Sequence, residues 1–401
     1  MRIAFLCPIK RPILPDTTVS RNRVIVDIAS ELIKRGHEVT LFASSDSNLP
    51  GAKIIGVLSK GLNFLPEAEN PFYQHTSYLT QMIEEAVLRQ GEFDLIHNHM
   101  FPEYLALLAL NDFKIPLLTT VHSQMVPETV ATLKQFPQAH MVAISESAKK
   151  MAGMESLIVV HNSIDTQLFI PVDGPKDYLL AVGRMSKAKD AQGNFLDPKG
   201  ISNSIAVAEK LNMKLKIVGN CEDPMFFETL VKPHLSANIE FVGAVSSEQT
   251  LKREDMVKLF QNAYCFINPI RWEEPFGLVM AESLSCGTPV VAFNRGAVNE
   301  IVVDSKVGFV VEPQPKADRP LDENSKSQIL NSKQIQNTKY KIQNTNMKIK
   351  QTGIEGMCEA ILKIDSINRQ ACRDHAVTNF SKSRMIDDYL REYQKLLNLN
   401  K

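Results

Sequence analysis

The chain has 401 residues, 44% of them hydrophobic, with 45 basic side chains against 45 acidic ones. That length holds two cores of ordinary domain size, and a formal charge of zero argues against a nucleic-acid partner. No run approaches the roughly 18 apolar residues of a membrane span. The apolar start is too short, and too soon followed by basic residues, for a secretion signal, so a cytoplasmic location is expected.

Apolar strands alternate with amphipathic helices, the pattern of parallel sheets covered on both faces. Residues 3–7 read as the first strand. Val24, Ile28 and Leu32 recur at helical spacing, Gly36 ends that helix after Lys34-Arg35, and residues 39–43 form the next strand. Further strands are expected at 94–97, 117–121, 141–144 and 157–160. Asp94-Leu-Ile-His97-Asn-His99 and Thr119-Thr-Val-His122 each put histidine at the end of a buried strand, where a cleft residue belongs. A His-x-His pair with a third histidine raises zinc, but strand residues at i and i+2 need a third ligand in register, and no metal is expected. Asp173-Gly-Pro-Lys is a turn-rich connector that divides a first domain, 1–172, from a second, 173–383. The second carries strands at 178–182, 214–218, 239–242, 264–268, 289–292 and 308–311. Two doubly wound Rossmann-like α/β domains facing across a cleft follow, with ligands at the carboxyl ends of the strands. The six cysteines, at 7, 221, 265, 286, 358 and 372, show no Cys-x-x-Cys spacing and lie mostly in apolar segments, as reduced core thiols do.

One segment stands outside this pattern. Residues 324–351 contain no acid, glycine or proline but six lysines, five Asn and five Gln, and Ile-Gln-Asn-Thr at 335–338 returns at 342–345. Such polar low complexity buries no core, so it reads as an insertion into the second domain. A peripheral membrane or nucleic-acid contact through its lysines is the minority alternative, because they are diluted by amides.

The most informative stretch is Glu274-Pro-Phe-Gly-Leu-Val-Met-Ala-Glu282, two carboxylates flanking a Pro-Phe-Gly turn at the head of an apolar helix. Pro275 and Gly277 turn the chain sharply after the strand, so the helix begins near Leu278 with its first amides unpaired, an anion site. Glu274 then lies in the loop and Glu282 about one turn inside the helix. Carboxylates bind hydroxyls well and phosphate badly, so the pair and the helix start together suit a nucleotide sugar. In isolation the plainer reading, Glu274 as a helix-start charge and Glu282 as a solvated helical residue, would prevail, and it is the neighbouring sequence that reverses it.

The stretch from Pro269 through Phe293, with Arg295-Gly-Ala-Val-Asn-Glu-Ile-Val and Val307-Gly-Phe-Val-Val after it, resembles the signature of the family-four retaining glycosyltransferases of the GT-B fold. The resemblance spans nearly the whole chain. It implies a retaining, metal-independent transfer of a hexose from a nucleoside-diphosphate sugar, UDP- or GDP-linked, to a hydroxyl acceptor, with no cofactor. Carried over, Glu274 holds donor-sugar hydroxyls, Glu282 the ribose, and the backbone of Leu278 and Val279, after Phe276 and Gly277, the distal phosphate. Arg184 and Lys199 meet the diphosphate, whose departing charge must find fixed cations and helix amides when no metal is present. No Asp-x-Asp triplet occurs, which disfavours the metal-dependent architecture for sugar transfer. His122 lies near the transferred sugar, with His97 or His99 a structural neighbour. Asn162-Ser-Ile-Asp165 is a turn closing the first domain, and residues 384–401 form a helix that packs back on it.

Two departures from the family pattern stand out. Arg184 and Lys199 are usually about five residues apart, whereas here Met185 to Pro198 intervene. Either that loop folds away and returns Lys199 to its place, or Lys187 or Lys189 substitutes; the Lys-Gly ahead of an apolar-periodic helix favours Lys199. The first strand-to-helix loop, usually glycine-rich, reads Arg11-Pro-Ile-Leu-Pro-Asp-Thr-Thr-Val-Ser-Arg21 with no glycine. Thr17, Thr18 and Ser20 offer hydroxyl donors there, and Arg11 or Arg21 a cation for an anionic acceptor; the plainer alternative is a solvent loop with Ser20 or Thr18 as N-cap. The rival functions are a nucleotide-sugar 2-epimerase on the same fold and a non-catalytic sugar-nucleotide binding protein. Donor base, sugar and acceptor are not legible in the sequence.

Overall fold

The structure is a computed structural model that describes residues 1–243, 251–314 and 347–399. The chain divides into two compact units, Met1–Asp165 with Asn379–Lys401, and Thr166–Thr378. Each is built on a parallel sheet. In the first unit the strands are β1 (Arg2–Leu6), β2 (Glu38–Ser44), β3 (Ala52–Leu58), β4 (Leu95–Asn98), β5 (Leu117–Val121), β6 (His140–Ala143) and β7 (Ile158–Val159), in the spatial order β3-β2-β1-β4-β5-β6-β7. In the second they are β8 (Tyr178–Val182), β9 (Lys214–Val218), β10 (Ile239–Gly243), β11 (Ala263–Asn268), β12 (Val290–Phe293) and β13 (Gly308–Val311), in the order β10-β9-β8-β11-β12-β13.

Continuous burial along β4 and β5, with no in–out alternation, reflects helices on both faces of the sheet. The helix Ser20–Lys34 supplies Val24, Ile25, Ile28, Ala29 and Leu32 to the core and ends on basic Lys34, as the helix dipole favours. In both sheets the strand order reverses once, between β1 and β4 and between β8 and β11. Ligands of open α/β sheets bind at the carboxyl end of such a switch. His99 follows β4, Gly183 and Arg184 follow β8, and Pro269 to Glu274 follow β11.

The last helix, Lys382–Leu399, belongs to the first unit. It buries Met385, Ile386, Tyr389, Tyr393 and Leu396, while Lys382 reaches Asp165 at 2.7 Å and Asp27 at 3.6 Å. Ile164 N donates to Phe380 O at 2.8 Å, and Arg384 donates to the carbonyls of His161 and Asn162, so the 162–165 turn fastens this helix.

The expected strands appear within a residue or two of their predicted ends, the usual spread at strand boundaries. Strand β3 was not anticipated: it is an edge strand, partly exposed and interrupted by Gly56, so it carries neither clear alternation nor a continuous apolar run. The first helix is capped by neither Ser20 nor Thr18. Its N-cap is Val19, without a side-chain bond, and Thr17 Oγ1 accepts instead from Val19 N at 3.4 Å. Of the expected insertion, residues 324–346 lie outside the described residues. At its end, Lys350 N and Gln351 N donate to the Glu359 carboxylate, and Gly353 N donates to Glu312 O at 2.8 Å. No helix among the described residues is long and apolar enough to cross a membrane.

Candidate active site

The second unit brings most of the expected donor residues to the β8/β11 switch. After β8 the chain passes Gly183 and Arg184 and makes a hairpin excursion. Met185 N donates to Asn220 O, Asp190 Oδ1 accepts from Gln192 N and Asn194 N, and Leu196 N closes on Ala188 O. Phe195 packs edge-on against Phe226 with 5.2 Å between ring centroids. The excursion returns Lys199 directly beside its starting point: a Cβ on Gly183 would lie 2.6 Å from Lys199 Cβ. Only glycine permits that approach. The loop folds away so that Lys199 lies beside Gly183, while Lys189 is engaged by Asp223 at 3.2 Å and by the Phe195 ring.

Lys199 is fixed from two sides. Behind it, buried Asp197 accepts from Ile201 N and Ser202 N at 3.0 and 2.8 Å, capping the helix Ile201–Leu211. Burial pushes the Asp197 carboxyl up from its ordinary value, against those two amides, which pull it down. In front, Lys199 Nζ lies 2.6 Å from Glu274 Oε2 and 4.4 Å from the centroid of Trp272, whose Nε1 donates to the same carboxylate oxygen at 3.1 Å. Glu274 is buried, so its oxygens are not diluted by bulk water.

The helix Leu278–Ser285 begins where the sequence placed it. Gly277 is its N-cap in the left-handed region, with φ 101°, and no side chain caps the helix among the described residues. Phe276 and Leu278 are buried, Val279 is partly exposed in the first turn, and Glu282 is buried one turn further along. Arg184 is not drawn into the Lys199–Glu274 cluster. Its Nη1 pairs with Glu222 Oε1 at 2.7 Å, and Glu222 Oε2 accepts from Lys187 N. Burial would raise the Glu222 carboxyl; Arg184 and the Lys187 amide outweigh it and hold the group below its usual range.

In the first unit, three imidazoles meet at the ends of β4 and β5. His97 is fully buried, with Nδ1 2.7 Å from Tyr393 Oη and Nε2 2.8 Å from Thr120 Oγ1. His99 Nδ1 lies 2.7 Å from Nε2 of the partly exposed His122. Both His97 nitrogens are therefore committed to hydroxyls, and the His99–His122 pair is bonded to itself, an arrangement unlike a zinc set. Among the described residues no group of three His, Cys, Asp or Glu is arranged around a metal position. Burial pushes His97 down to about 3, and burial with the neighbouring charge of Arg21 holds His99 and His122 well below the ordinary imidazole value. In all three the shift favours the neutral imidazole.

Sequence reasoning missed the carboxylates that organise these cations. Glu103 accepts from His122 N and Ser123 N, both at 3.0 Å, and pairs with Arg21 at 2.8 Å. Arg21, considered for an anionic acceptor, is thus already neutralised. Neither Glu103 nor Glu222 stands in a motif; each is far in sequence from its partner. The only tryptophan of the chain, two residues before Glu274, was a signal available for its role.

Comparison with known proteins follows the same division. A family described as Glycosyltransferase Family 4 matches residues 22–168, and one described as Glycosyl transferases group 1 matches residues 176–319. The chain is 24% identical over 345 residues to D-inositol 3-phosphate glycosyltransferase of Pseudarthrobacter chlorophenolicus, covering 74% of this chain and 79% of that protein. Among solved structures it resembles sucrose-phosphate synthase from Thermosynechococcus elongatus, with a TM-score of 0.73, 17% identity and full coverage of both chains. It also resembles Anabaena HepE in complex with UDP and glucose, with a TM-score of 0.67, 16% identity, and 98% of this chain and 100% of that one covered. At these identities the structural likeness speaks for the fold.

Proposed function

The chain belongs to the family-four glycosyltransferases of the GT-B fold, and from that premise we propose that it transfers a hexose, with retention at the anomeric carbon, from a nucleoside-diphosphate sugar to an acceptor hydroxyl. The observation that carries this reading is the Lys199–Glu274 contact of 2.6 Å beside the uncapped start of the helix Leu278–Ser285. Without a donor, Glu274 neutralises Lys199. A diphosphate supplies a replacement anion for the lysine, and the sugar supplies hydroxyls for the released carboxylate. The exchange leaves no charge unpaired.

In the proposed reaction the bond from the anomeric carbon to the β-phosphate oxygen breaks and a bond to the acceptor oxygen forms on the same face. The acceptor proton passes to the departing phosphate. Charge accumulating on the leaving diphosphate is met by Lys199, by Arg184 once it turns from Glu222, and by the amides of Leu278 and Val279. Glu282 binds the ribose, and His122 and Glu274 steady the ring. The match to glycosyltransferase families favours transfer over 2-epimerisation, and the UDP complex of HepE makes a UDP-linked sugar the first donor to try.

Thermal shift against a panel of nucleotide sugars identifies the donor, since a ligand of the folded state raises stability with the logarithm of its concentration over Kd. With that donor, the product's anomeric proton is expected to show retained configuration, and EDTA is expected to leave the rate unchanged. An inverted product, or a rate abolished by chelation and restored by magnesium or manganese, overturns the reading.

A further inference from the structure

Glu274 is held by two donors that differ in kind. Its Oε2 accepts from Lys199 Nζ at 2.6 Å and from Trp272 Nε1 at 3.1 Å. The same indole presents its ring to the ammonium, with Lys199 Nζ 4.4 Å from the ring centroid. Lysine, carboxylate and indole close a triangle whose corners respond differently to an anion. A diphosphate attracts the lysine and repels the carboxylate. The indole carries no charge for the diphosphate to draw away, and its N–H can only donate.

The backbone that carries Trp272 is fixed on both sides. Before it, Arg271 N donates to Pro198 O at 2.9 Å, which ties the segment to the residue preceding Lys199. After it, Gly296 N donates to Glu273 Oε2 at 2.6 Å and Ala297 N donates to Glu274 O at 2.8 Å. Gly296 lies so close that a Cβ there would sit 2.3 Å from Glu274 O, and its φ of 60° is one that glycine adopts without strain. The indole thus projects from a segment clamped between the Lys199 turn and the loop after β12. It is partly exposed, whereas the carboxylate it bonds is buried. A side chain carried on so fixed a backbone can hold its neighbour to one geometry.

We propose that Trp272 is a positioning residue for sugar transfer: when the donor's diphosphate takes Lys199, the indole N–H keeps Glu274 in place to accept from the sugar hydroxyls. The assignment rests on the donor reading above and names the group that stops the released carboxylate from following its lysine or turning out to water. A carboxylate already oriented by a fixed donor need not be ordered as the sugar ring distorts. The contribution therefore falls on turnover and not on nucleotide affinity. The exchange also alters the indole's own surroundings, because the ammonium leaves its face while its N–H stays bonded.

Trp272 is the only tryptophan of the chain, so indole emission reports this side chain alone. In the full chain, saturating UDP or GDP, with binding followed by calorimetry, is expected to change that emission as the ammonium leaves the ring. Trp272→Phe keeps a ring beneath Lys199 and removes the N–H. It is expected to lower kcat with the nucleotide sugar roughly tenfold, the scale of a bond to a charged acceptor, and to leave nucleoside diphosphate affinity within about threefold. A merely structural role would act whatever stands at position 274, so the double variant decides: added to Glu274→Gln, whose neutral amide is a weaker acceptor, Trp272→Phe is expected to lower kcat by no more than about twofold further. The emission measurement needs only the unaltered chain and stands even where a variant fails to fold. The proposal is overturned by a nucleotide that binds without altering the emission, by a Trp272→Phe protein that keeps its kcat or loses nucleotide affinity instead, or by losses that multiply in the double variant. A chain that neither binds nor turns over any nucleotide sugar overturns the donor reading and this assignment with it, whereas one that does both while Trp272→Phe changes nothing overturns this assignment alone.

Discussion

Lys199 and Glu274 hold each other at 2.6 Å, so removing one changes what the other does. Glu274→Gln leaves Lys199 without its counter-ion and ready for a diphosphate. Nucleoside diphosphate affinity is expected to hold or rise, while turnover falls by about 10- to 100-fold, because the lost hydroxyl contact matters most as the ring distorts. Glu282→Gln is expected to weaken nucleotide affinity by roughly tenfold through the ribose, with the smaller effect on turnover. Calorimetry with the nucleoside diphosphate and steady-state kinetics measure both, and the opposite pattern would falsify the assignment. The imidazoles make a separate statement about stability. His97, His99 and His122 are held below their ordinary pKa, so below about 6.5 the unfolded chain takes up protons that the folded chain refuses. The stability His97 contributes is complete above 6.5 and is lost as pH falls toward 3, at up to about 1.4 kcal/mol per pH unit, and His99 and His122 act in the same direction. The melting temperature is therefore expected to drop between pH 6.5 and 5, above the carboxylate range, and less steeply in His97→Gln. A flat profile, or an unchanged slope in the variant, contradicts this account.

Among the elements, the hairpin between Arg184 and Lys199 is the clearest departure from the family pattern and the easiest to remove. Lys199 is positioned by Gly183, Asp197 and Glu274, none of which lies in the hairpin tip. Replacing residues 189–195 with Asn-Gly is expected to leave nucleoside diphosphate affinity within about twofold, since none of the proposed donor contacts lies in the tip. A loss of tenfold or more places part of the donor site in the tip. The sequence made the positions of Lys199, Glu274 and Glu282 legible because each sits in a local pattern: Lys-Gly before a periodic helix, or carboxylates around Pro-Phe-Gly. It made most strands legible because parallel strands buried on both faces read as short apolar runs. It did not reveal β3, whose exposure and Gly56 hide both signals, nor Glu222 and Glu103. Those carboxylates act on partners distant in the chain, Arg184 and Arg21, and only the folded register of the strands brings them together.

At the scale of the whole molecule, the chain leaves β13 at Val311 and resumes in the helix Gly353–Leu362, and these ends are tied by the Gly353 N to Glu312 O bond of 2.8 Å. The fold therefore requires only a short connection there. Replacing residues 324–346 with a short Gly-Ser linker is expected to leave melting temperature and donor affinity nearly unchanged, because halving the loop length alters closure entropy by only about 0.6 kcal/mol. Unfolding, or lost donor affinity, means that the segment contributes to the core or the site. The last helix bears on a different matter, the order of events during synthesis. Tyr389 and Tyr393 bond to Thr120 and His97 and are buried in the first unit, yet some 270 to 300 positions separate them from those partners. The second unit, Thr166–Thr378, is complete before either tyrosine has been translated. On the ribosome the unit begun first is finished last, and its half-built core waits for the second unit to be made.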